Sequence, residues 1–299
     1  MRGNVVKEKD MKEVIKRSKK EDIEKVMREK SKKGKTAGAC FFIYKMRIEK
    51  TLAYRFDVFS NIIFQCIAMF ANAFFWKAIY RGYDVVNGVA VQDMLSYTIV
   101  SAMMSVLLLT GVENRVAESV RQGSVATDML KPIPLFSIYF FEDLGTVTTS
   151  AILNGLPILL VGCLFITIPV PASGVHFLLF LLSFLLSFFV NWLFAALFSL
   201  IAFIAMDMSP LIQVKKHVLR LLSGSIIPIW FFPGWLRGFL QCLPFVYIYQ
   251  LPLDLYIGKI TPMEALPRMG IQILWIGILF AAFLYFQGAV RKKVMVQGG

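Results

Sequence analysis

The sequence predicts an all-α, polytopic membrane protein with six transmembrane helices, an N-terminal interfacial helix, an amphipathic cytosolic helix and outer re-entrant helices after span five. Three features predict this class. Stretches with little or no charge, long enough to cross a bilayer at about 20 residues per crossing, recur from residue 57 onward. The clearest, Phe177–Met206, has no charged residue, whereas a soluble core helix of that length keeps a polar face. The segments between these stretches alternate between basic and uncharged, the pattern that holds basic loops in the cytosol.

The chain divides into a basic cytosolic extension (1–38), an interfacial helix (39–56), a six-span domain (57–290) and a basic cytosolic tail (291–299). In the extension, Met11, Val14, Ile15, Ile23, Val26 and Met27 form a stripe too thin to bury a core, as on a solvated or membrane-surface helix. In ACFFIYKMRIEKTLAYRF, Lys45, Arg47, Glu49, Lys50 and Arg55 alternate with apolar positions, which suits a helix lying among headgroups. The spans read as Asp57–Tyr80, Val91–Gly111, Leu144–Ile168, Val175–Met206, a fifth from about Val218 to Ile229, and Met269–Val290. Lys215, Lys216 and Arg220 make the 207–220 segment basic, Arg291, Lys292 and Lys293 do so for the tail, and the 169–174 turn is uncharged. Six spans with both termini in the cytosol satisfy these charges.

Location explains the net charge of +13. Residues 1–50 hold 17 Lys/Arg against 8 Asp/Glu, so +9 of it precedes the first span. No aromatic residue interleaves the lysines of the extension, which favours anionic membrane lipids over nucleic acid as their contact. Cys40, Cys66, Cys163 and Cys242 show no CxxC spacing and read as buried small hydrophobes. His176 and His217 are isolated, so no metal site is expected. The N-terminus lacks an apolar run beside its basic residues, so no cleavable signal peptide is expected.

Between spans two and three, VENRVAESVRQGSVATDMLKPIP reads as a charged amphipathic helix. Val112, Val116 and Val120 recur every four residues, and Glu113, Asn114, Arg115, Glu118, Arg121 and Gln122 cover the rest of the cylinder. Gly123 weakens this helix, and Lys131-Pro132-Ile133-Pro134 stops it. A plain connection needs only a few residues. One that is folded, charged and amphipathic reads as a docking surface for a cytosolic partner.

The fifth region breaks the pattern. Pro228, Pro233, Pro244 and Pro252, with Gly224, Gly234 and Gly238, interrupt any single long helix. Broken backbone at membrane depth needs protein or a water-filled cavity to satisfy it, so short re-entrant helices are expected here. Trp230, Trp235, Tyr247, Tyr249 and Tyr256 suggest the outer interface. On span one, Asn61, Gln65 and Asn72 are spaced by four and seven, which puts them on one face, and Asn154 and Asn191 could join them. Such residues either line a translocation path or bond helices to one another. Glu142 and Asp143 are adjacent, about 100° apart around a helix, and are not expected to share one site.

Three stretches together resemble the permease subunits of ABC-2 type (type V) ABC exporters. They are Tyr54-Arg55-Phe56-Asp57 before span one; Arg121-Gln122-Gly123 with Leu130-Lys131-Pro132-Ile133-Pro134; and Ser223-Gly224-Ser225-Ile226-Ile227-Pro228 with Phe232-Pro233, Leu243-Pro244-Phe245 and Tyr256-Ile257-Gly258. The resemblance covers nearly everything from residue 40 and looks closest to bacterial permeases paired with a daunorubicin-type ATPase. It implies a multi-pass protein of the bacterial cytoplasmic membrane, dimeric with an identical or related permease. A cytosolic ABC ATPase would dock on a coupling helix, through Glu113, Arg115, Glu118, Arg121, Gln122 and Gly123. The implied cargo is a lipophilic compound, an antibiotic or a peptide. No GxxxxGK[ST] phosphate loop occurs, so ATP and Mg are expected on the partner, with no cofactor and no catalytic residue in this chain.

Other functions make different demands. A secondary transporter or channel not driven by ATP predicts charges buried mid-span and inverted repeats. An intramembrane enzyme needs His, Asp, Glu or Cys clustered at one depth. The sequence displays neither pattern. A purely structural assembly subunit is distinguished only by its partners.

Overall fold

The computed structural model describes residues 38–49, 55–125, 133–205 and 207–297. Helix α1 covers residues 38–49, and α2 spans Arg55–Ile79. A two-residue hairpin follows, β1 (Val85–Val86) paired antiparallel with β2 (Val89–Ala90). Asn87 and Gly88 both have positive φ, 51° and 71°, as the Asn-Gly turn of a tight hairpin requires. Then come α3 (Val91–Leu107) and α4 (Val112–Arg121). After residue 133 come α5 (Leu135–Ser150), a π turn (Ala151–Gly155) and α6 (Leu156–Phe165), one continuous rod. Pro157 has no N–H to continue the α-helical ladder, and the π turn absorbs the mismatch just before it. Helix α7 (Gly174–Ser199) ends in a 3-10 turn, and α8 is Ser209–Leu222. Two short helices, α9 (Gly234–Gln241) and α10 (Gln250–Tyr256), are separated by 3-10 turns, and α11 (Pro262–Gln297) completes the fold.

Among the described residues, five stretches are long and apolar enough to cross a membrane: Val58–Ile79, Val91–Arg121, Leu135–Phe165, Gly174–Phe203 and Pro262–Val290. A sixth traverse of the body is made in pieces. Lys215 of α8 pairs with Glu113 of α4 at one end. At the other, Tyr256 Oη donates to Pro169 O at 2.7 Å, and Lys259 Nζ donates to Asn87 O at 2.6 Å. Residues 209–259 therefore run from the α4 end to the end that carries the hairpin and the 166–173 turn.

Several boundaries differ from the sequence reading, each for a visible reason. The fifth helix is Ser209–Leu222, not Val218 to Ile229. Pro210 sits in its first turn, and Gly224, with φ +84°, ends it. At 1.5 Å per residue its 14 residues cover about 21 Å, short of the roughly 30 Å of hydrocarbon. The third starts at Leu135 rather than Leu144, because Glu142 and Asp143 pair with Arg115 inside the fold. The last begins at Pro262, seven residues before the expected Met269, and continues through the tail to Gln297. The amphipathic helix ends at Arg121, with Gly123 at φ +70° just beyond it, so Gly123 terminates the helix rather than weakening it. Cys40 is buried as expected, Cys66 and Cys163 are half-buried, and Cys242 is exposed. Tyr247, Tyr249 and Tyr256 are buried rather than interfacial, whereas Trp235 is exposed.

Polar staples hold the helices where apolar packing alone gives little drive. Helix α1 docks on α5 through Tyr44 Oη to Thr148 Oγ1 (3.2 Å) and Arg47 Nε to Thr146 Oγ1 (2.9 Å). Gly145 makes that approach possible, since a Cβ there would lie 2.8 Å from Tyr44 O. Gln272 of α11, fully buried, donates to Ser183 O at 2.9 Å, Ser187 Oγ at 3.0 Å and Tyr247 O at 2.9 Å. Ser187 Oγ also donates to Tyr247 O, so that carbonyl keeps a partner when Gln272 is removed. Gln272→Leu is therefore expected to cost about 1–2 kcal/mol rather than the sum of three bonds. A lowered unfolding midpoint in detergent measures it; an unchanged midpoint would show the staple to be idle.

Candidate functional site

The α4 segment is built by two opposed faces. Inward, Val112, Val116 and Ser119 are buried at the spacing of one helical face. Glu113 lies beside them, 0% exposed, and pairs with Lys215, whose side chain is 8% exposed and stands over the Phe194 ring at 5.5 Å. Arg115 pairs with Asp143, reaches Glu142 Oε2 at 3.2 Å from Nε and donates to Tyr139 O at 3.2 Å. Asp143, 1% exposed, also accepts from Gly111 N at 2.9 Å and Trp192 Nε1 at 3.0 Å. Asn191 Nδ2 donates to Leu108 O at 2.6 Å, capping the break between α3 and α4. Buried charges need partners and bonds, and this network supplies both from α5, α7 and α8.

Outward, the Glu118, Arg121 and Gln122 side chains bond only to one another among the described residues. Arg121 Nη2 donates to Glu118 Oε2 at 2.5 Å and Gln122 Nε2 to Glu118 Oε1, all within one exposed turn. Such a local i,i+3 pair contributes only a few tenths of a kcal/mol to the helix. The six residues expected on one docking surface are thus divided. Glu118, Arg121, Gln122 and Gly123 face out, while Glu113 and Arg115 are turned inward and tie α4 down. The reason is burial: each meets an opposite charge on a neighbouring helix that the linear sequence cannot display. Glu142 and Asp143, expected to diverge, both engage Arg115, because the guanidinium fork reaches two carboxylates one residue apart. Leu130, Lys131 and Pro132 lie outside the described residues, as do Tyr54 and residues 1–37.

A groove with polar side chains set in a largely apolar wall runs from this end between α2, α3 and α8. It consists of two adjoining cavities of about 410 and 230 Å³ that share Gln65, Ser105 and Arg220. Asn72 and Ser101 line the first, and Asn191 and Lys216 line the second. Of the residues expected on a path, Gln65, Asn72 and Asn191 are therefore at the groove. Asn61 is exposed on α2 beyond it. Asn154 is buried in the π turn and lines neither cavity, because the π turn carries it into the helix packing. Arg220, counted in the sequence as a loop charge, stands eleven residues into α8, about 17 Å along its axis. Thr98, Ser101 and Ser105, spaced by three and four, form a polar stripe on α3 whose helical spacing is visible in the sequence.

The end of the groove away from α4 stops at the broken backbone after α8. Tyr97 Oη lies 2.5 Å from Gly224 O and 3.1 Å from Gln250 Oε1. That same Gln250 oxygen accepts from Ile229 N at 2.9 Å, Gln250 N donates to Ser223 O at 3.0 Å, and Gln250 Nε2 donates to Asp254 Oδ1 at 2.6 Å. Ser101 Oγ donates to Ser225 O at 2.6 Å. The expected re-entrant residues Gly224, Pro228, Pro233 and Pro244 serve here as turn and helix starts, with Pro228 and Pro233 preceding the 3-10 turn and α9 and Pro244 opening a second 3-10 turn. Backbone groups freed by the break are thus satisfied by protein.

Among the described residues, no three His, Cys, Asp or Glu side chains are placed to hold a metal ion. The sequence model of ABC-2 family transporter proteins matches residues 66–293, most of the chain and all of both sites except the first turns of α2. No curated protein and no solved structure matches it.

Proposed function

The chain belongs to the ABC-2 family of transporter proteins, and from that premise we propose that it is an exporter permease whose ATP is hydrolysed by a separate subunit docked on the outward face of α4. A membrane permease of an ABC transporter works with an ATPase, and the division of α4 carries the assignment of where that ATPase sits. Its inward face is bonded to α5 and α8 and, through Asp143, to Trp192 of α7, so a push on Glu118, Arg121 or Gln122 is transmitted to three helices instead of being lost in a loose loop. The groove beside α2 and α8 is the proposed translocation path, closed into a conduit when a second permease, identical or related, covers it. Its largely apolar wall, with a few polar side chains set in it, suits a lipophilic compound, an antibiotic or a peptide. The setting is the bacterial cytoplasmic membrane, with α4 and both termini in the cytosol, consistent with the basic residues at that end.

The test is co-expression with the ATPase encoded nearest to this chain and co-purification in detergent, wild type against Glu118→Arg with Gly123→Pro. Gly123 has φ +70°, which proline cannot adopt, and the charge reversal alters the exposed turn while the buried network stays intact. The wild type is expected to hold the ATPase and the variant to release it, with unfolding midpoints within a few degrees. Equal retention by both would remove α4 as the docking site and reopen a carrier not driven by ATP.

A further inference from the structure

A cavity of about 580 Å³ lies at the end opposite α4, between α9, the 244–247 turn, α10 and the first turns of α11. Arg237, Lys259 and Arg268 line it together with Asp254 and Glu264. Five charges share one cavity, yet none forms an ion pair among the described residues. Each carboxylate has a hydrogen-bond partner of its own, although Asp254 also lies within electrostatic reach of Lys259 and Arg268. Glu264 Oε2 accepts from Thr261 N at 3.1 Å, closing a capping box at the start of α11. Asp254, buried, accepts from Gln250 Nε2.

The cations keep donors in hand. Arg237 uses one nitrogen, Nη2, on Trp230 O at 2.9 Å and Phe232 O at 3.4 Å, which fixes the side chain and leaves Nε and Nη1. Lys259 uses one of three hydrogens on Asn87 O, its ammonium 5.5 Å from the Trp230 ring centroid. Arg268 is exposed and has no hydrogen bond or ion pair among the described residues. The cavity walls include Ile229, Val246 and Leu251, and Ile271 leads from it to exposed Leu274 and Ile278 on the same face of α11. Cations with donor hydrogens to spare thus stand at the head of an apolar helix face that is long enough to meet acyl chains.

We propose that this cavity binds the phosphate headgroup of an anionic lipid, or of a lipid-like amphiphile, from the outer leaflet. Arg237, Lys259 and Arg268 hold its oxygens, and its chains lie along α11. Three cations from different elements line one cavity, two of them arginines, whose guanidinium fork suits the two free oxygens of a phosphodiester. The site is separate from the groove and from α4, and its test uses neither ATPase nor cargo.

Exposed Cys242 lines the same cavity and serves as a native reporter. The full-length protein in neutral detergent is treated with a maleimide, and modification of the Cys242 peptide is followed by mass spectrometry. Dihexanoylphosphatidylglycerol, dihexanoylphosphatidylcholine and inorganic phosphate are titrated in turn. The glycerol lipid is expected to protect Cys242 at concentrations at least tenfold lower than the choline lipid. Lys259→Gln with Arg268→Gln is expected to weaken that protection about tenfold or more, the loss of one charge-assisted contact or better. Arg268→Gln alone, which removes no bond within the fold, keeps the result readable if the double variant lowers the unfolding midpoint. Protection by inorganic phosphate at the same concentration identifies a free phosphate as the source, and protection by the amphiphile alone identifies a lipid. Equal protection by both lipids, or protection unchanged in Arg268→Gln and in the double variant, overturns the proposal.

Discussion

Lys215→Met is expected to destabilise the α4 end by about 3–5 kcal/mol, the usual cost of stripping one partner from a buried ion pair. Glu113 would be left fully buried, with Oε2 already lacking a hydrogen-bond partner, and with no cation in contact. The reciprocal Glu113→Gln should cost less. A stranded Lys215 still lies over the Phe194 and Phe198 rings, and a glutamine oxygen can still accept its hydrogen bond. The double change Glu113→Leu with Lys215→Met should recover most of the lost stability, since an apolar pair of similar volume often replaces a buried ion pair without penalty. It should not recover function. Without the α4–α8 tie, ATP hydrolysis by the complex in proteoliposomes is expected to continue while cargo movement falls severalfold. A double variant that transports like the wild type would show that α4 drives the bundle through Arg115 and Asp143 alone.

Gly224→Ala tests the opposite end. A Cβ at this position would lie 2.2 Å from Gln250 Oε1, and the backbone sits at φ +84°. The left-handed conformation costs a non-glycine residue about 1–2 kcal/mol, and overpacking adds roughly 1–3 kcal/mol, for a total of about 2–5 kcal/mol. Gln250 cannot simply move aside, because it serves Tyr97, Ile229 N and Asp254 at once. The expected reading is a lowered unfolding midpoint and lost transport, with ATPase co-purification through α4 unchanged. A midpoint equal to wild type would mean that the glycine is there for some reason other than close packing.

How legible these features were depended on how local their causes are. The long apolar helices were plain because each satisfies its own backbone and faces lipid with its own side chains, so local composition suffices. The hairpin turn and the ends of α8 also had local markers, in Asn87-Gly88, Ser209-Pro210 and Gly224. Reading the basic run 207–220 as a loop hid α8, and with α8 it hid Arg220. The amphipathic pattern of α4 was legible as a helix with a buried valine edge. Which of its charges faced inward was not, since period alone cannot tell a solvated glutamate from one that meets a lysine 102 residues away.

By itself, then, the sequence determined the all-α membrane class, the order of the spans, the amphipathic α4 and the interrupted region after α8, because period, apolar length and Pro/Gly placement act over a few turns of chain. Only the tertiary structure decided that Glu113 and Arg115 anchor α4 instead of facing a partner, that Gln65, Asn72 and Arg220 share one groove while Asn154 does not, and that Gln250 secures the break. Those outcomes rest on pairs of charges and hydrogen-bonding groups from distant segments, whose cost or gain exists only once packing has removed them from water.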